Sequence, residues 1–571
     1  MNVRATVAGA SPIAPSRATP ASRWPRHLLE SAALLAVLSC LVLALLWLDR
    51  NPILTAFDEV GHINNSLSDA LMLRSGEGGL LRDSIFLWNR WLPPGLRLVG
   101  LPVAYLFWPV APEALRLASA VMFLLTALAL WLALRLFAGR VGAAAGVLLY
   151  VLAPINLFGA QNFMTESVLH LCAALALLLL VLEARATGAS VLRMGLLGLV
   201  IGLGTLTKLT FLPAYGLLWL GFAGWRWWRE RNGTHLVIRL VLPLAGLLLV
   251  AWPHYALNGI RYVGYARASA EGFAFLPWPE TGLDFAARAV RTLVADVFGP
   301  GGTVVLLAGL ALLAIAWRRA SETQRLLLIL AVLSGLPTLA AFLFSNNQTE
   351  RYLGLTVIGL CLPVAAGFGL ALKTAPALRP APFLAGLAGM AALLQVGLGL
   401  FIAWRGPLSA WPASGLNYAS WRPNYDCDYS PLTALVPPDR KPVAVGVFGA
   451  SLTVNQITLQ FPFLRAGRRA AVSDLANWEE RPDWDAVIAE ASRQDLLVMP
   501  ADVRDAEYFP ANRLIPEFQE RLAAAGVQLE KRMEVQTGSS SRCTVHVLIP
   551  APGTAIPPAR GPFRSEVHVL P

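Results

Sequence analysis

The sequence is poor in charge and in cysteine. Only 14% of its 571 residues are charged, whereas 56% are hydrophobic and the mean hydropathy is +0.56. Soluble proteins carry about 25% charged residues, so the composition excludes a soluble multidomain protein, a disordered chain and a nucleic-acid-binding module. The five cysteines include no C-x-x-C pair and no Cys/His spacing typical of a metal site. The class that remains is a polytopic membrane protein.

The net charge of +11 does not indicate an anionic macromolecular partner. Residues 1–403 carry 29 basic and 17 acidic side chains, and residues 404–571 carry 17 and 18. The excess therefore lies in the apolar part, where cytoplasmic loops of membrane proteins collect Lys and Arg. We expect membrane lipids as partners and no nucleic acid. The sequence has only four Lys against 42 Arg. This ratio suggests a GC-rich genome and favours a bacterial inner membrane.

Apolar segments of about 20 residues, the length that crosses a bilayer, predict about eleven transmembrane helices. The first runs from His27 to Trp47 without a cleavage site after it, so we interpret it as an uncleaved signal anchor. The others lie at roughly 114–134, 141–158, 164–182, 192–206, 209–226, 236–252, 301–317, 326–344, 352–372 and 382–403. With a cytoplasmic N-terminus, 17 of the 29 basic residues fall inside, and the short outer turns hold only Lys208 and Arg351.

The predicted organisation has three parts. Residues 1–26 form a disordered cytoplasmic N-terminus, and residues 27–403 form the transmembrane domain. This domain has long outer loops at 49–113 and 253–300, with aromatic and Pro-rich stretches such as 88–94 that could lie as interfacial helices. An odd number of spans places residues 415–571 on the outer face.

This tail changes in character and predicts a small, water-soluble α/β domain. It contains strand-like runs (443–448, 496–499 and 544–549) and helix-like runs (484–493 and 515–525). Cys427 and Cys543 are its cysteines, and an envelope location is oxidising. They form either a disulfide, which we expect, or two free buried thiols.

Few charged residues lie at the outer ends of the predicted spans, where burial makes charge costly. Each has an ordinary explanation: Asp58-Glu59 as part of a solvated loop, Glu166 as a complement to a helix N-terminus, and Lys208 and Arg351 as basic side chains reaching for the interface. Taken together, acids and bases converge at one end of an apolar protein and predict one polar site. The other acids of the first loop are expected to be solvated: Asp69, Glu77 and Asp83.

The order of these motifs resembles the GT-C superfamily of membrane glycosyltransferases. The resemblance covers about residues 28–372 and is greatest to relatives of protein O-mannosyltransferase and lipid A aminoarabinose transferase. It rests on Asp58-Glu59, Leu92-Pro93-Pro94-Gly95-Leu96, Glu113-Ala114-Leu115-Arg116-Leu117, Glu166, Thr207-Lys208 and Arg351-Tyr352. The chain departs from the family where Glu166 replaces a frequent Asp, and where Trp91-Leu92 replace a frequent basic residue or His.

The resemblance implies an inverting transferase that uses a polyprenyl-phosphate sugar donor and a hydroxyl acceptor on an outer-face glycan, lipid or protein. Asp58 would be the general base, with Glu59 as a supporting carboxylate or a contact for a divalent cation. Lys208 and Arg351 would bind the donor phosphate. The remaining residues assigned to the substrate cavity are Glu166, His62 and Tyr352. No metal site is assigned from the sequence.

Two other functions fit the same composition. A transporter or flippase for a lipid-linked or anionic substrate would also bind a head group with acids and bases. Against it, the sequence has no inverted repeat and no matching pair of broken spans, and its polar residues cluster at one face. A scaffold that recruits partners through its outer domain is the second alternative. Loss of a specific glycan in an Asp58 variant that still inserts would distinguish the transferase from both.

Overall fold

The structure is a computed structural model, and it describes most of the chain. The described residues are 24–50, 57–88, 93–108, 110–271, 283–344, 350–373, 380–405, 427–437, 442–451, 453–477, 479–501, 509–537 and 543–551. Residues 1–23 of the predicted disordered segment and part of the predicted interfacial stretch at 88–94 lie outside these residues, whereas residues 24–26 begin the first helix.

Long apolar helices make up the membrane domain. Eight of the described helices are long and apolar enough to cross a membrane: α1 (Trp24–Arg50), α5 (Ala111–Leu152), α7 (Thr165–Arg185), α10 (Gly233–Glu271), α12 (Pro300–Ala316), α13 (Glu322–Phe344), α14 (Gly354–Lys373) and α15 (Pro380–Arg405). Helix α5 has 42 residues with a break at Gly139, where φ is 84°, so it has the length of two spans. Two shorter helices, α8 (Val191–Thr207) and α9 (Leu217–Glu230), cover the remaining predicted spans.

Shorter helices lie at the end of this domain that carries Asp58. They are α2 (Phe57–Arg74), α3 (Gly78–Asp83), α4 (Gly95–Leu106), α6 (Pro154–Gln161) and α11 (Leu283–Thr292). The long loop predicted at 253–300 begins later in the structure than expected, because α10 continues through Pro253 as far as Glu271. A proline inside a membrane helix removes one backbone hydrogen bond, which neighbouring groups can compensate.

An ion-pair network joins four helices at the opposite end of the domain. The fully buried Arg239 of α10 donates to Glu183 of α7 at 3.1 Å and to Glu230 of α9 at 2.7 Å. Glu183 also accepts from Arg193 of α8 at 2.9 Å, and Arg226 pairs with Glu230. Arg193, Arg226 and Arg239, which the sequence predicts on the cytoplasmic side, therefore form ion pairs that join helices, in addition to any effect on membrane topology.

The C-terminal part is an α/β domain, as expected. Its sheet has the strand order β2-β1-β3-β5-β4, formed by β1 (Val443–Val447), β2 (Ala470–Asp474), β3 (Leu496–Pro500), β4 (Leu529–Gln536) and β5 (Thr544–Pro550). Strand β1 runs parallel to β2 and β3, and β5 runs antiparallel to β3 and β4. Its helices include α16 (Gln456–Arg465), α17 (Trp484–Ala491) and α18 (Ile515–Ala524). A disulfide joins Cys427 to Cys543. The predicted fold class is confirmed.

Candidate active site

Asp58 and Arg351 meet at one end of the membrane domain. Asp58 lies in the first turn of α2, and Arg351 lies in the single 3-10 turn Glu350–Leu353 that precedes α14. A guanidinium nitrogen of Arg351 is 2.6 Å from Asp58 Oδ2. The Asp58 side chain is 45% exposed and the Arg351 side chain 23% exposed. The Asp58 carboxylate is therefore accessible to a substrate, although it forms an ion pair with the Arg351 guanidinium.

Glu166 and Lys208 form a second pair beside the first. Glu166 is buried in the first turn of α7, and Lys208 directly follows the last residue of α8. Lys208 Nζ is 3.5 Å from Glu166 Oε1 and 3.9 Å from the centre of the Tyr352 ring. The Arg351 guanidinium lies 5.7 Å from the same ring. Tyr352 therefore links the two basic side chains by cation–π contacts.

His62 follows Asp58 by one helical turn on α2 and is buried. Burial lowers its pKa to about 4; Lys208 and Arg351 add to the lowering, and Asp58 and Glu166 oppose it. The ring is therefore neutral at neutral pH. Because the pKa in the folded protein lies below the usual 6.5, acidification from about 6.5 towards 4 weakens this folded arrangement.

Two glycines let the elements of the site approach each other closely. A Cβ on Gly354, three residues after Arg351, would lie 2.1 Å from His170 Nε2 on α7. A Cβ on Gly95 would lie 2.7 Å from the backbone of Thr207, the residue before Lys208. The Pro-Pro-Gly stretch of the sequence therefore packs against the Lys208 turn. A side chain on Gly95 would require a shift of backbone, and one on Gly354 would require the His170 ring to move.

The fold is identified by the similarity of the sequence and the structure to known proteins. A sequence model of the dolichyl-phosphate-mannose-protein mannosyltransferase family matches residues 102–251. ArnT from Cupriavidus metallidurans in the apo state superposes with a TM-score of 0.54 at 16% identity, over 93% of this chain and 98% of that chain. The ArnT structure bound to undecaprenyl phosphate gives 0.53 at 16%, over 92% and 99%. No curated protein sequence matches the chain.

The arabinofuranosyltransferase AftD from Mycobacteria gives a TM-score of 0.51 at 16% identity, over 90% of this chain and 39% of that chain. ArnT and AftD are GT-C glycosyltransferases. The chain has the GT-C fold. This fold was recognised in the sequence from short motifs, and that recognition is confirmed.

Within the GT-C fold, Glu59 points away from its neighbour Asp58. Both of its oxygens accept hydrogen bonds from Arg116 of α5, at 2.9 and 2.8 Å. Its Oε1 also accepts from the backbone N–H of Phe163 at 3.0 Å. Glu59 is 0% exposed. The sequence suggested a supporting carboxylate or a cation contact, whereas the structure gives Glu59 a sealed ion pair that fixes α2 to α5.

Asp69 was expected to be solvated, and this prediction is wrong. It is buried, and it accepts from Arg97 of α4 at 2.6 and 2.9 Å and from Ser84 at 3.1 Å. Asp58, His62 and Asp69 follow one another at helical spacing on one face of α2. A helix beginning at Phe57 would have predicted this spacing, but the sequence indicated a loop at 49–113.

No group of three or more His, Cys, Asp or Glu side chains in the described ranges is arranged to hold a metal ion. The carboxylates nearest to the site are engaged by Arg and Lys: Asp58, Glu59 and Glu166. The divalent cation that the sequence left open stays a prediction.

The two adjacent acids should respond differently to substitution. Glu59→Ala removes the carboxylate that pairs with the buried Arg116, which costs on the order of 3–5 kcal/mol, so we expect a lower thermal unfolding midpoint and a lower yield of detergent-solubilised protein. Asp58→Asn at a half-exposed pair should leave both near the parent values. Parent-like stability of Glu59→Ala, measured by thermal unfolding and gel filtration, would contradict the structural assignment of Glu59.

Proposed function

We propose that the chain is a glycosyltransferase that moves a sugar from a polyprenyl-phosphate donor to an acceptor hydroxyl at the outer membrane surface. The observation that carries this proposal is the contact between Asp58 and Arg351, an open acid–base pair at the outer helix ends. The GT-C fold supports it, as does the structure of ArnT bound to undecaprenyl phosphate.

The two basic side chains suit a lipid phosphate. A prenyl chain holds its phosphate near the membrane surface, and Lys208 and Arg351 lie where helices end. The Arg351 Nε makes no hydrogen bond within the described part of the chain. This nitrogen is buried, so a phosphate oxygen reaches it only when the Arg351 side chain moves. Arg can offer a phosphate two parallel donors, where Lys offers a point charge.

Binding of the donor would also release the Asp58 carboxylate from its ion pair, so that it can act as the general base. In the absence of a ligand, Arg351 is held by Asp58, and Lys208 by Glu166. A phosphate that engages Arg351 competes with Asp58 for the same guanidinium and leaves this carboxylate able to accept a proton. Glu166 is buried and orients Lys208, and its Oε2 accepts from Thr165 at 3.1 Å.

The reaction then needs a single displacement. The acceptor O–H gives its proton to Asp58 while its oxygen attacks the anomeric carbon. The bond between that carbon and the donor phosphate oxygen breaks, and polyprenyl phosphate leaves with the electron pair. Lys208 and Arg351 stabilise the charge that this oxygen gains, which lowers the barrier because the contacts strengthen in the transition state. Direct displacement inverts the anomeric centre. His62 and Tyr352 line the cavity beside these groups.

The membrane is proposed to be a bacterial inner membrane, with the C-terminal domain in the periplasm. The basic residues of the Arg239 network lie at the end opposite to Asp58, which agrees with the positive-inside rule.

Asp58→Asn should remove the base without removing the fold. A correctly placed base contributes about 10²–10⁴-fold in rate, so we expect transfer from a polyprenyl-phosphate sugar to fall by that factor. The matched control is Asp83→Asn, because Asp83 is a partly exposed acid (29%) that is also paired with an Arg, the exposed Arg82. Turnover of Asp58→Asn near that of Asp83→Asn would end the assignment.

Lys208→Ala and Arg351→Ala should weaken donor binding and lower turnover. Arg351→Lys should recover little of the loss, because it keeps the charge and loses the planar fork. The measurements are the affinity of the purified protein for polyprenyl phosphate and the rate of transfer, with Arg82→Ala as an exposed control. If both alanine variants bind and use the donor like the parent, Lys208 and Arg351 do not bind the donor phosphate and serve only to orient their helices in the membrane.

Reporter fusions near residues 230 and 450 should report opposite sides of the membrane, with the second one outside. The reason is the excess of basic residues at the inner end. Fusions that report the same side would remove the basis for an outer active site.

A further inference from the structure

Helix α2, which carries Asp58 and His62, lies between the membrane domain and the C-terminal domain. On one side it packs on α4 and is tied to α5 through Glu59 and Arg116. On the other side it packs against α16 of the C-terminal domain. The C-terminal domain therefore touches the element that carries the proposed base, although the ion pairs described around Asp58 join residues of the membrane domain.

Helix α16 belongs to two hydrophobic cores. Ile457, Phe461 and Leu464, at helical spacing, pack in the core of the membrane domain. Leu459 and Phe463 are buried in the core beneath the sheet. The helix begins with a capping box in which Asn455 and Thr458 satisfy each other's backbone N–H groups. A helix with both faces buried has little freedom to rotate or slide, so it can hold α2 in a fixed register.

One hydrogen bond crosses the centre of this contact. The side-chain amide of Asn64, 3% exposed, donates from Nδ2 to the backbone carbonyl of Ile457 at 2.7 Å. Three residues earlier on α2, Gly61 packs against the Ile457 side chain, whose Cδ1 and Cγ2 would lie at a van der Waals distance of 3.7 Å from a Cβ there. The carbonyl of Ile457 lies in the first turn of α16, where it is part of the helix backbone and cannot be moved by a side-chain rotation.

Exposed ion pairs surround this centre. Arg465 of α16 is 3.2 Å from Glu113 at the start of α5, and both side chains are about half exposed. Arg469 pairs with Glu77, which lies between α2 and α3. Exposed pairs of this kind contribute about 0–1 kcal/mol. The contact therefore depends on Asn64 and the apolar side chains of α16.

Asn64 lies two residues from His62 and six from Asp58, within two turns of the same helix. We propose that Asn64 is a positioning residue: through its bond to Ile457 the C-terminal domain holds α2, and α2 holds the Asp58 carboxylate where it can accept the proton of the acceptor hydroxyl. This inference rests on the proposed transferase function. It gives the C-terminal domain a role in the chemistry of a site whose ion pairs lie in the membrane domain.

The expected effect is on turnover more than on donor binding. Lys208 and Arg351 are carried by other elements, the end of α8 and the turn before α14. A shift of α2 would therefore misplace the base and leave the phosphate contacts in place. Misplacement by about 1 Å can cost on the order of 10²-fold in rate.

The test uses the full-length protein and three variants. Asn64→Ala removes the bond from the side of α2, and Ile457→Ala weakens the same contact from the side of α16. Arg465→Ala removes an exposed pair at the rim and is the matched control. Two readouts are compared: amide hydrogen exchange of the peptide covering α2, with α18 as the internal reference, and the kcat and KM for a polyprenyl-phosphate sugar.

In Asn64→Ala and Ile457→Ala we expect faster exchange in α2 with unchanged exchange in α18. We also expect kcat to fall by roughly 10- to 100-fold, with the donor KM within about twofold of the parent. Arg465→Ala should behave like the parent. Parent-like exchange of α2 in both variants would overturn the proposal, as would faster exchange of α2 with an unchanged kcat, or a rise in KM with an unchanged kcat.

Failure of the proposed function gives a different result. If the parent transfers no sugar from any polyprenyl-phosphate donor, the transferase assignment fails and the positioning role fails with it. Faster exchange of α2 in the two variants would still establish that the C-terminal domain restrains this helix through Asn64.

Discussion

A charge buried in apolar surroundings must be paired, and this requirement organises the protein. The acidic residues that are buried in the described part of the chain are Glu59, Asp69, Glu166 and Glu183, and each contacts Arg or Lys. An unpaired charge there would cost several kcal/mol. The pairs of Glu59, Asp69 and Glu183 tie one helix to another, so in this chain most of the buried charge serves to fix the relative positions of helices.

The same requirement separates structural pairs from the candidate site. The partners Arg97, Arg116 and Arg239 are at most 5% exposed, so these pairs are sealed. The Lys208 and Arg351 side chains are 25% and 23% exposed, and they reach the acids of the site from helix ends. A ligand can replace a carboxylate only where the pair is open to it. Exposure, more than residue type, therefore distinguishes the groups that can do chemistry.

Hydropathy predicted the spans well, because about 20 consecutive apolar residues have few alternatives to a membrane helix. Strands β1, β3 and β5 were also predicted, since they are apolar and β-branched. Strand β4 was missed because its sequence, LEKRMEVQ, places charges along the outermost strand of the sheet. The different roles of Asp58 and Glu59 were not predictable, because neighbouring residues on a helix point about 100° apart and only the packing of α2 decides which one is sealed.

The proposed reaction leaves the net charge of the candidate site unchanged. With His62 neutral, the acids Asp58 and Glu166 balance the bases Lys208 and Arg351. A polyprenyl-phosphate sugar is a phosphodiester and adds one negative charge. During transfer the leaving phosphate gains a second charge, while Asp58 becomes neutral by accepting the acceptor proton. The net charge of the cluster does not change between substrate and product. A site of low dielectric constant can therefore carry out the displacement without importing an ion, provided that the base lies within reach of the acceptor, and the position of α2 decides this.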